Sequence, residues 1–217
     1  MGPLPVRRRL TVLRDGSIRA SDLVFCSPSG CSVALSRCAT CGSGGAVALD
    51  ASDRATTVEC SRFRLSATDG ERLQGATVTR VAAILPVGLS LVRPAVCLTS
   101  DAPLRVAVSA LARESIASGI AVVDEQQRLV GVLPRAKVSL ALVDSIDDVA
   151  AAHITADWRS IAESASFGAA FGTMAATHAR ELIVLGPDRT FVGVVRDIDA
   201  LRFVAHVSRT GLRPELP

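Results

Sequence analysis

Two stretches of the chain repeat one another 62 residues apart, and this repeat constrains the fold more than any other feature. The first holds Gly119-Ile120-Ala121-Val122-Val123-Asp124, then Arg128-Leu129-Val130-Gly131-Val132-Leu133. The second holds Glu181-Leu182-Ile183-Val184-Leu185-Gly186, then Thr190-Phe191-Val192-Gly193-Val194-Val195. In each, an apolar run, a turn and a second apolar run predict a two-stranded hairpin. A helical pattern precedes each hairpin, with Leu104, Ala107, Val108, Leu111 and Ala112 in one copy and Phe167, Ala170, Phe171 and Met174 in the other. Pro103 suits a helix start, where its missing N–H costs nothing. A shorter helix follows each hairpin, at residues 136–142 and 198–207. One copy therefore reads strand, helix, strand, strand, helix. Neither copy buries its sheet face alone, so the two are expected to pack on each other.

Composition narrows the function. Hydrophobic residues make up 49% of 217, enough for a sizeable core. Aromatic residues are only 3% and the net charge is +3, which argues against a base-stacking nucleic-acid surface. The basic run Arg7-Arg8-Arg9 reads as a solvated N-terminal strand. The N-terminus lacks the apolar run of a secretory signal, and no stretch is long and apolar enough to span a membrane. The expectation is a soluble cytoplasmic protein, where structural disulfides are disfavoured and cysteines point to metal.

The repeat resembles a tandem pair of CBS domains. The resemblance rests on the opening segments Leu91-Val92-Arg93-Pro94-Ala95-Val96 and Ile154-Thr155-Ala156-Asp157-Trp158 and on the strands around Val122-Val123-Asp124 and Ile183-Val184-Leu185. It also rests on the closing motifs Gly131 to Lys137 and Gly193 to Asp199, and it covers about three fifths of the chain. It implies an α+β fold of two β-α-β-β-α repeats packed as a pseudo-symmetric pair. It also implies adenosine-type ligands in the clefts between repeats, and homodimers through the pair. Carried over residue by residue, Asp199 would contact a ribose, Arg180 and Arg196 would reach phosphate, and Val92, Ile120 and Ala121 would wall a purine. Asp199 also reads as a helix N-terminal residue. The first repeat departs from the family pattern, with Pro134 and Lys137 at its closing Thr/Ser and Asp positions. A lysine accepts no ribose hydroxyl.

Five of six cysteines lie in residues 26–60, at 26, 31, 38, 41 and 60. Cys38-Ala39-Thr40-Cys41 is a Cys-x2-Cys knuckle, a common way to place two thiolates on one metal. Cys26 and Cys60 each end a strand-like segment. The set Cys26, Cys38, Cys41 and Cys60 therefore predicts a structural zinc site resembling a zinc ribbon, with Cys31 as the alternative to Cys26. Redox-active and inert thiols are the competing readings. Cys97 belongs to the first repeat's core.

These segments divide the chain into an N-terminal hairpin and cysteine-rich unit (1–65), a connector (66–79), repeat one (80–145), repeat two (146–208) and a tail (209–217). The hairpin turns at Asp15-Gly16. No nucleophile–base set, metal-binding histidine pair or phosphate loop appears, so an enzyme is not expected. The leading reading is a ligand-sensing regulator that binds an adenine nucleotide or related adenosyl ligand. The alternative is a homodimeric scaffold with a protein partner at the cysteine unit. Membrane and nucleic-acid partners are not expected.

Overall fold

A computed structural model of the chain describes residues 2–61, 73, 75–90, 95–113, 118–144 and 147–210. The chain opens with the expected hairpin, β1 (Gly2–Val12) and β2 (Ile18–Cys26), paired from Val6 opposite Val24 to Val12 opposite Ile18. Gly16 takes φ +83 at its turn, a left-handed conformation that glycine adopts without steric cost. Then follow β3 (Cys31–Ala34), α1 (Leu35–Ala39), β4 (Gly44–Leu49) and β5 (Ala55–Cys60). Next come α2 (Val78–Ile84), β6 (Ala95–Thr99), α3 (Leu104–Arg113), β7 (Gly119–Val123), β8 (Leu129–Pro134) and α4 (Arg135–Asp144). The described chain closes with β9 (Ser160–Ala162), α5 (Phe167–Thr177), β10 (Glu181–Leu185), β11 (Phe191–Arg196) and α6 (Asp197–Thr210). None of the described helices is long and apolar enough to cross a membrane.

The two repeats share one topology. β6 runs parallel to β7, and β7 antiparallel to β8 with Val122 opposite Gly131. β9 runs parallel to β10, and β10 antiparallel to β11 with Val184 opposite Gly193. The register shifts directly after Val122 in one copy and after Val184 in the other. Gln127 and Arg189, 62 residues apart, take φ +63 and +60 at the two hairpin tips. These tips meet, where the Phe191 amide donates to the Gln127 carbonyl at 2.9 Å. Between the sheets Ala121, Val123, Leu129, Ile183 and Phe191 form a buried seam.

The repeats also exchange helices. α2 precedes β6 in the chain but packs on α5 and α6, placing Val81, Ala82 and Leu85 against Phe167, Phe203 and Val204 of the second repeat. The Phe167 amide donates to the Leu85 carbonyl at 3.1 Å. Residues read from sequence as a connector thus begin a core helix, because its apolar stripe matches the uncovered face of the other copy.

The N-terminal hairpin is woven into both repeats. β1 extends the first repeat's sheet by running parallel to β6, with Arg9 opposite Ala95 and Val12 opposite Leu98. Leu4, Val24 and Phe25 enter the core that holds Phe167 and Leu182 of the second repeat. This corrects the reading of Arg7-Arg8-Arg9 as a solvated strand. Arg7 is only 4% exposed and Arg9 9%, because alternate residues of β1 turn toward the seam. Arg7 donates to the Gly88 carbonyl and to Glu163, both at 3.0 Å, and Arg9 donates to the Phe191 carbonyl at 3.0 Å. Arg8 points the other way and pairs with Asp22 at 2.8 Å. Burial pulls the Arg7 guanidinium down to about 10, against the pull of Glu163, so it stays charged at neutral pH.

Cys97 is a core residue, as its sequence context predicts, with Thr11 Oγ1 3.5 Å from its sulfur. Burial pushes its thiol up from 9.0 to about 11. Between those values the folded chain binds more protons than the unfolded one. Stability from the neutral buried thiol is complete below pH 9 and is lost as pH rises through 11. Two pKa units correspond to roughly 3 kcal/mol. A Cys97→Ala variant should therefore lose less melting temperature than wild type between pH 9 and 11. Parallel declines for the two proteins would refute this.

Candidate functional site

A cleft of about 610 Å³ opens between the repeats. Its apolar floor comes from two cross-strand pairs, Ala121 opposite Val132 and Ile183 opposite Val194. These pairs are equivalent positions of the two copies, 62 residues apart, so the floor is pseudo-symmetric. Their partners one residue along, such as Ile120 and Leu182, point to the opposite sheet face and into the cores. Gly119 also lines the cleft, and a Cβ there would lie 2.5 Å from the Leu133 carbonyl oxygen.

The rest of the lining is polar and asymmetric. The opening segment of repeat two crosses one side, pinned to repeat one where the Thr155 amide donates to the Val132 carbonyl at 2.8 Å. It carries Trp158, whose ring has the Arg189 guanidinium 5.7 Å from its centroid, and Arg159, paired with Asp157 at 3.0 Å. At the mouth, Glu181 accepts from the Ser118 amide at 3.0 Å and from the Ser118 hydroxyl, tying the repeats together. Arg180 stands beside it, 86% exposed, and reaches Asp197 at 3.2 Å. The Asp197 carboxyl is held below its usual range, first by the Ile198 amide, then by Arg180 and Arg196.

The residues expected from sequence fall as follows. Ala121 and Arg180 line the cleft. Ile120 is buried in the first repeat's core, because it lies one residue from Ala121 on the other face of β7. Arg196 lies opposite Glu181 on β11, and its Nε donates to Asp199 at 2.7 Å. Asp199 sits in the first turn of α6. Val92 lies outside the described residues. Sequence reasoning passed over Trp158, Arg159, Ser118 and Glu181. The repeat itself pointed to two of them, since Ser118 and Arg180 are equivalent positions, as are Gly119 and Glu181.

The five N-terminal cysteines come from four elements and one turn. Cys26 ends β2 and Cys31 opens β3, directly opposite each other. Cys38 lies in α1, Cys41 in the turn after it, and Cys60 ends β5, opposite Gly44. Gly44 lets the backbone fold back on the knuckle, since a Cβ there would lie 2.0 Å from the Cys38 carbonyl oxygen. Burial raises the Cys38 thiol, and Cys26, Cys60 and Cys41 raise it further, in that order. Cys26, Cys41 and Cys60 thus each fall within electrostatic reach of Cys38. The closed four-thiolate tetrahedron expected from their spacing does not appear. Among the described residues no group of three or more His, Cys, Asp or Glu side chains is gathered closely enough to hold a metal ion. Strand pairing and the core set these positions: Leu35, Cys38, Val47 and Cys60 pack against the main core, so this segment has apolar support of its own.

Residues 87–144 match the family model of the CBS domain. No curated protein matches the chain. Among solved structures, the CBS domain of a membrane protein from Sphaerobacter thermophilus is 19% identical. That similarity covers 64% of this chain and 97% of the other, with a TM-score of 0.49. OpuCA of Staphylococcus aureus is 15% identical over 57% of this chain and 96% of its own, with a TM-score of 0.44. A CBS domain protein from Pyrobaculum aerophilum, complexed with AMP, is 19% identical over 56% of this chain and 99% of its own, with a TM-score of 0.46.

Proposed function

We propose that this chain, with a CBS domain at residues 87–144 and a second copy of its topology behind it, is a cytoplasmic ligand-sensing regulator. Its ligand is an adenine nucleotide or related adenosyl compound bound between the repeats, and it is not an enzyme. The observation that carries this reading is the cleft's combination of surfaces. An apolar floor of Ala121, Val132, Ile183 and Val194 suits a flat heterocycle, with Trp158 beside it and two arginines, Arg159 and Arg180, at the rim. Few polar groups around an apolar slot are what a small-molecule site requires. Arg196 and Asp199 form an ion pair across β11 and α6, outside the lining of the cleft.

Thermal unfolding with ATP, AMP, adenosine and S-adenosylmethionine tests the reading. A saturable rise in melting temperature is expected for at least one of them. At 100 times Kd the stabilisation is about 2.7 kcal/mol. No rise for any of the four would overturn it. That result would favour a homodimeric scaffold, for which the exposed Ile198 and Leu201 on α6 offer an apolar face.

A second reading concerns the cysteines. The Cys38-x2-Cys41 knuckle, with Cys26 and Cys60 at strand ends, carries the reading of a structural zinc ion held by four thiolates, an arrangement that these side chains do not form in the structure. The same unit would serve as a docking module for a protein partner.

A further inference from the structure

Cys26 ends β2 and Cys31 opens β3, and the two are register partners in an antiparallel pair. The chain between them is one tight turn, Ser27–Ser29 followed by Gly30 at φ +63. Directly opposed residues of such a pair project from the same face of the sheet, with Cα atoms about 4.5–5.5 Å apart. A disulfide spans about 4.4–6.8 Å between Cα atoms. The backbone register therefore already lies within reach of an S–S bond. No other two of the described cysteines are related in this way. Cys60 pairs with Gly2 and Gly44, Cys97 pairs with Thr11 and Ala121, and Cys38 and Cys41 lie outside the strands. Cys26 and Cys31 are both free thiols and both half-buried. The Cys26 thiol donates to the Ser29 hydroxyl at 3.4 Å, over the turn. Next in β3, Ser32 donates its amide to Glu163 at 2.7 Å and its hydroxyl to the same carboxylate. β3 is only four residues long and stands at the end of its sheet, beside β2. The contact that holds this edge to the second repeat thus sits one residue from Cys31.

We infer that Cys26 and Cys31 are a redox-modification site, a dithiol that small disulfides such as oxidised glutathione convert into a cross-strand disulfide. The Cys26 thiolate attacks one sulfur of the oxidant, forms a mixed disulfide and expels one glutathione thiolate. The Cys31 thiolate then attacks the Cys26 sulfur, closes the Cys26–Cys31 bond and expels the second. The protein loses two electrons and two protons, and one oxidised glutathione becomes two reduced ones. Burial raises the Cys31 thiol, and Glu163 and Cys26 raise it further. That suits Cys31 to the second, intramolecular step, where proximity offsets a low thiolate fraction. The new bond ties β3 covalently to β2 and so fixes Ser32 against Glu163. Neither a metal nor the ligand of the cleft takes part.

Trypsin isolates the pair. Cys26 and Cys31 share the peptide 20–37, released by cuts after Arg19 and Arg37, while Cys38 and Cys41 share 38–54. Reduced full-length protein, with a chelator present, is equilibrated in glutathione buffers of stepped composition. It is then quenched in acid, alkylated, digested and analysed by mass spectrometry. Peptide 20–37 should pass from doubly alkylated to unalkylated and two hydrogens lighter than the dithiol, while 38–54 stays doubly alkylated. The equilibrium constant for closure should be about tenfold larger for the folded chain than for the same chain in urea. Cys31→Ser should stop at the mixed disulfide, with one glutathione on Cys26. Equal constants for folded and urea-unfolded protein would overturn the inference, because the strand register would then contribute nothing. Cys26 or Cys31 linked instead to Cys38, Cys41 or Cys60 would overturn it, and so would glutathione adducts on wild type with no internal bond.

Discussion

Glu163→Ala should lower the free energy of unfolding by about 3–5 kcal/mol, the cost of breaking a buried ion pair by removing one partner. For a chain of this length that corresponds to a fall in melting temperature on the order of 10 °C. The cause is local and visible. Arg7 is 4% exposed, and its guanidinium would be left in the core with only the Gly88 carbonyl as a described partner. Ser32 would lose its acceptor as well. The exposed pair Arg159–Asp157 provides the control: Asp157→Ala should change stability by under about 1 kcal/mol, since solvent screens such pairs. Replacing both Arg7 and Glu163 with apolar residues of similar size should recover part of the loss, because no charge then remains buried without its partner. A drop for Glu163→Ala no larger than that for Asp157→Ala, measured by thermal unfolding, would show that the pair does not hold the hairpin to the second repeat.

Arg180→Ala should weaken phosphate-bearing ligands far more than adenosine. Arg180 lines the cleft and is mostly solvated, with Asp197 as its described partner, so its removal leaves the core untouched. A hydrogen bond to a charged group contributes about 1.5–3 kcal/mol, which is roughly a 10- to 100-fold loss in affinity for AMP or ATP. Adenosine lacks the phosphate and should bind the variant as it binds wild type. Calorimetric titration separates the cases. An equal loss for adenosine would mean that Arg180 shapes the cleft rather than reading phosphate. No loss for any ligand would place the phosphate elsewhere, with Arg159 the next residue to replace.

The repeat was legible from sequence because it is written twice. An apolar run, a glycine and a second run recur at 62 residues, and strand alternation follows from covalent geometry alone. Family resemblance pointed to Ala121, which lines the cleft, while placing Ile120 with it neglected that neighbours on a strand face opposite ways. Arg180 was legible through family resemblance. Trp158 was not, although it stands in the opening segment, because a sequence does not say which loop crosses which sheet. The cysteines were legible as a run along the chain, but among the described residues they are not gathered into a group that could hold a metal ion. Whether they close into a tetrahedron was not legible, because spacing along the chain does not fix distances between strand ends.

The fate of Arg7 and Arg9 lay furthest from the sequence. A run of three arginines near a terminus satisfies every rule for a solvated strand. Burial became affordable only because Glu163, 156 residues away, and the carbonyls of Gly88 and Phe191 were brought to meet them. Sequence by itself determined the local elements, their repeat and the apolar faces, since these depend on residues close in the chain. The tertiary structure alone decided that β1 joins the first repeat's sheet while Leu4 and Phe25 join the second repeat's core. It also decided that α2 crosses to the other copy. Those choices depend on which distant partners satisfy a buried charge or cover an open apolar face, and no local pattern encodes that distance.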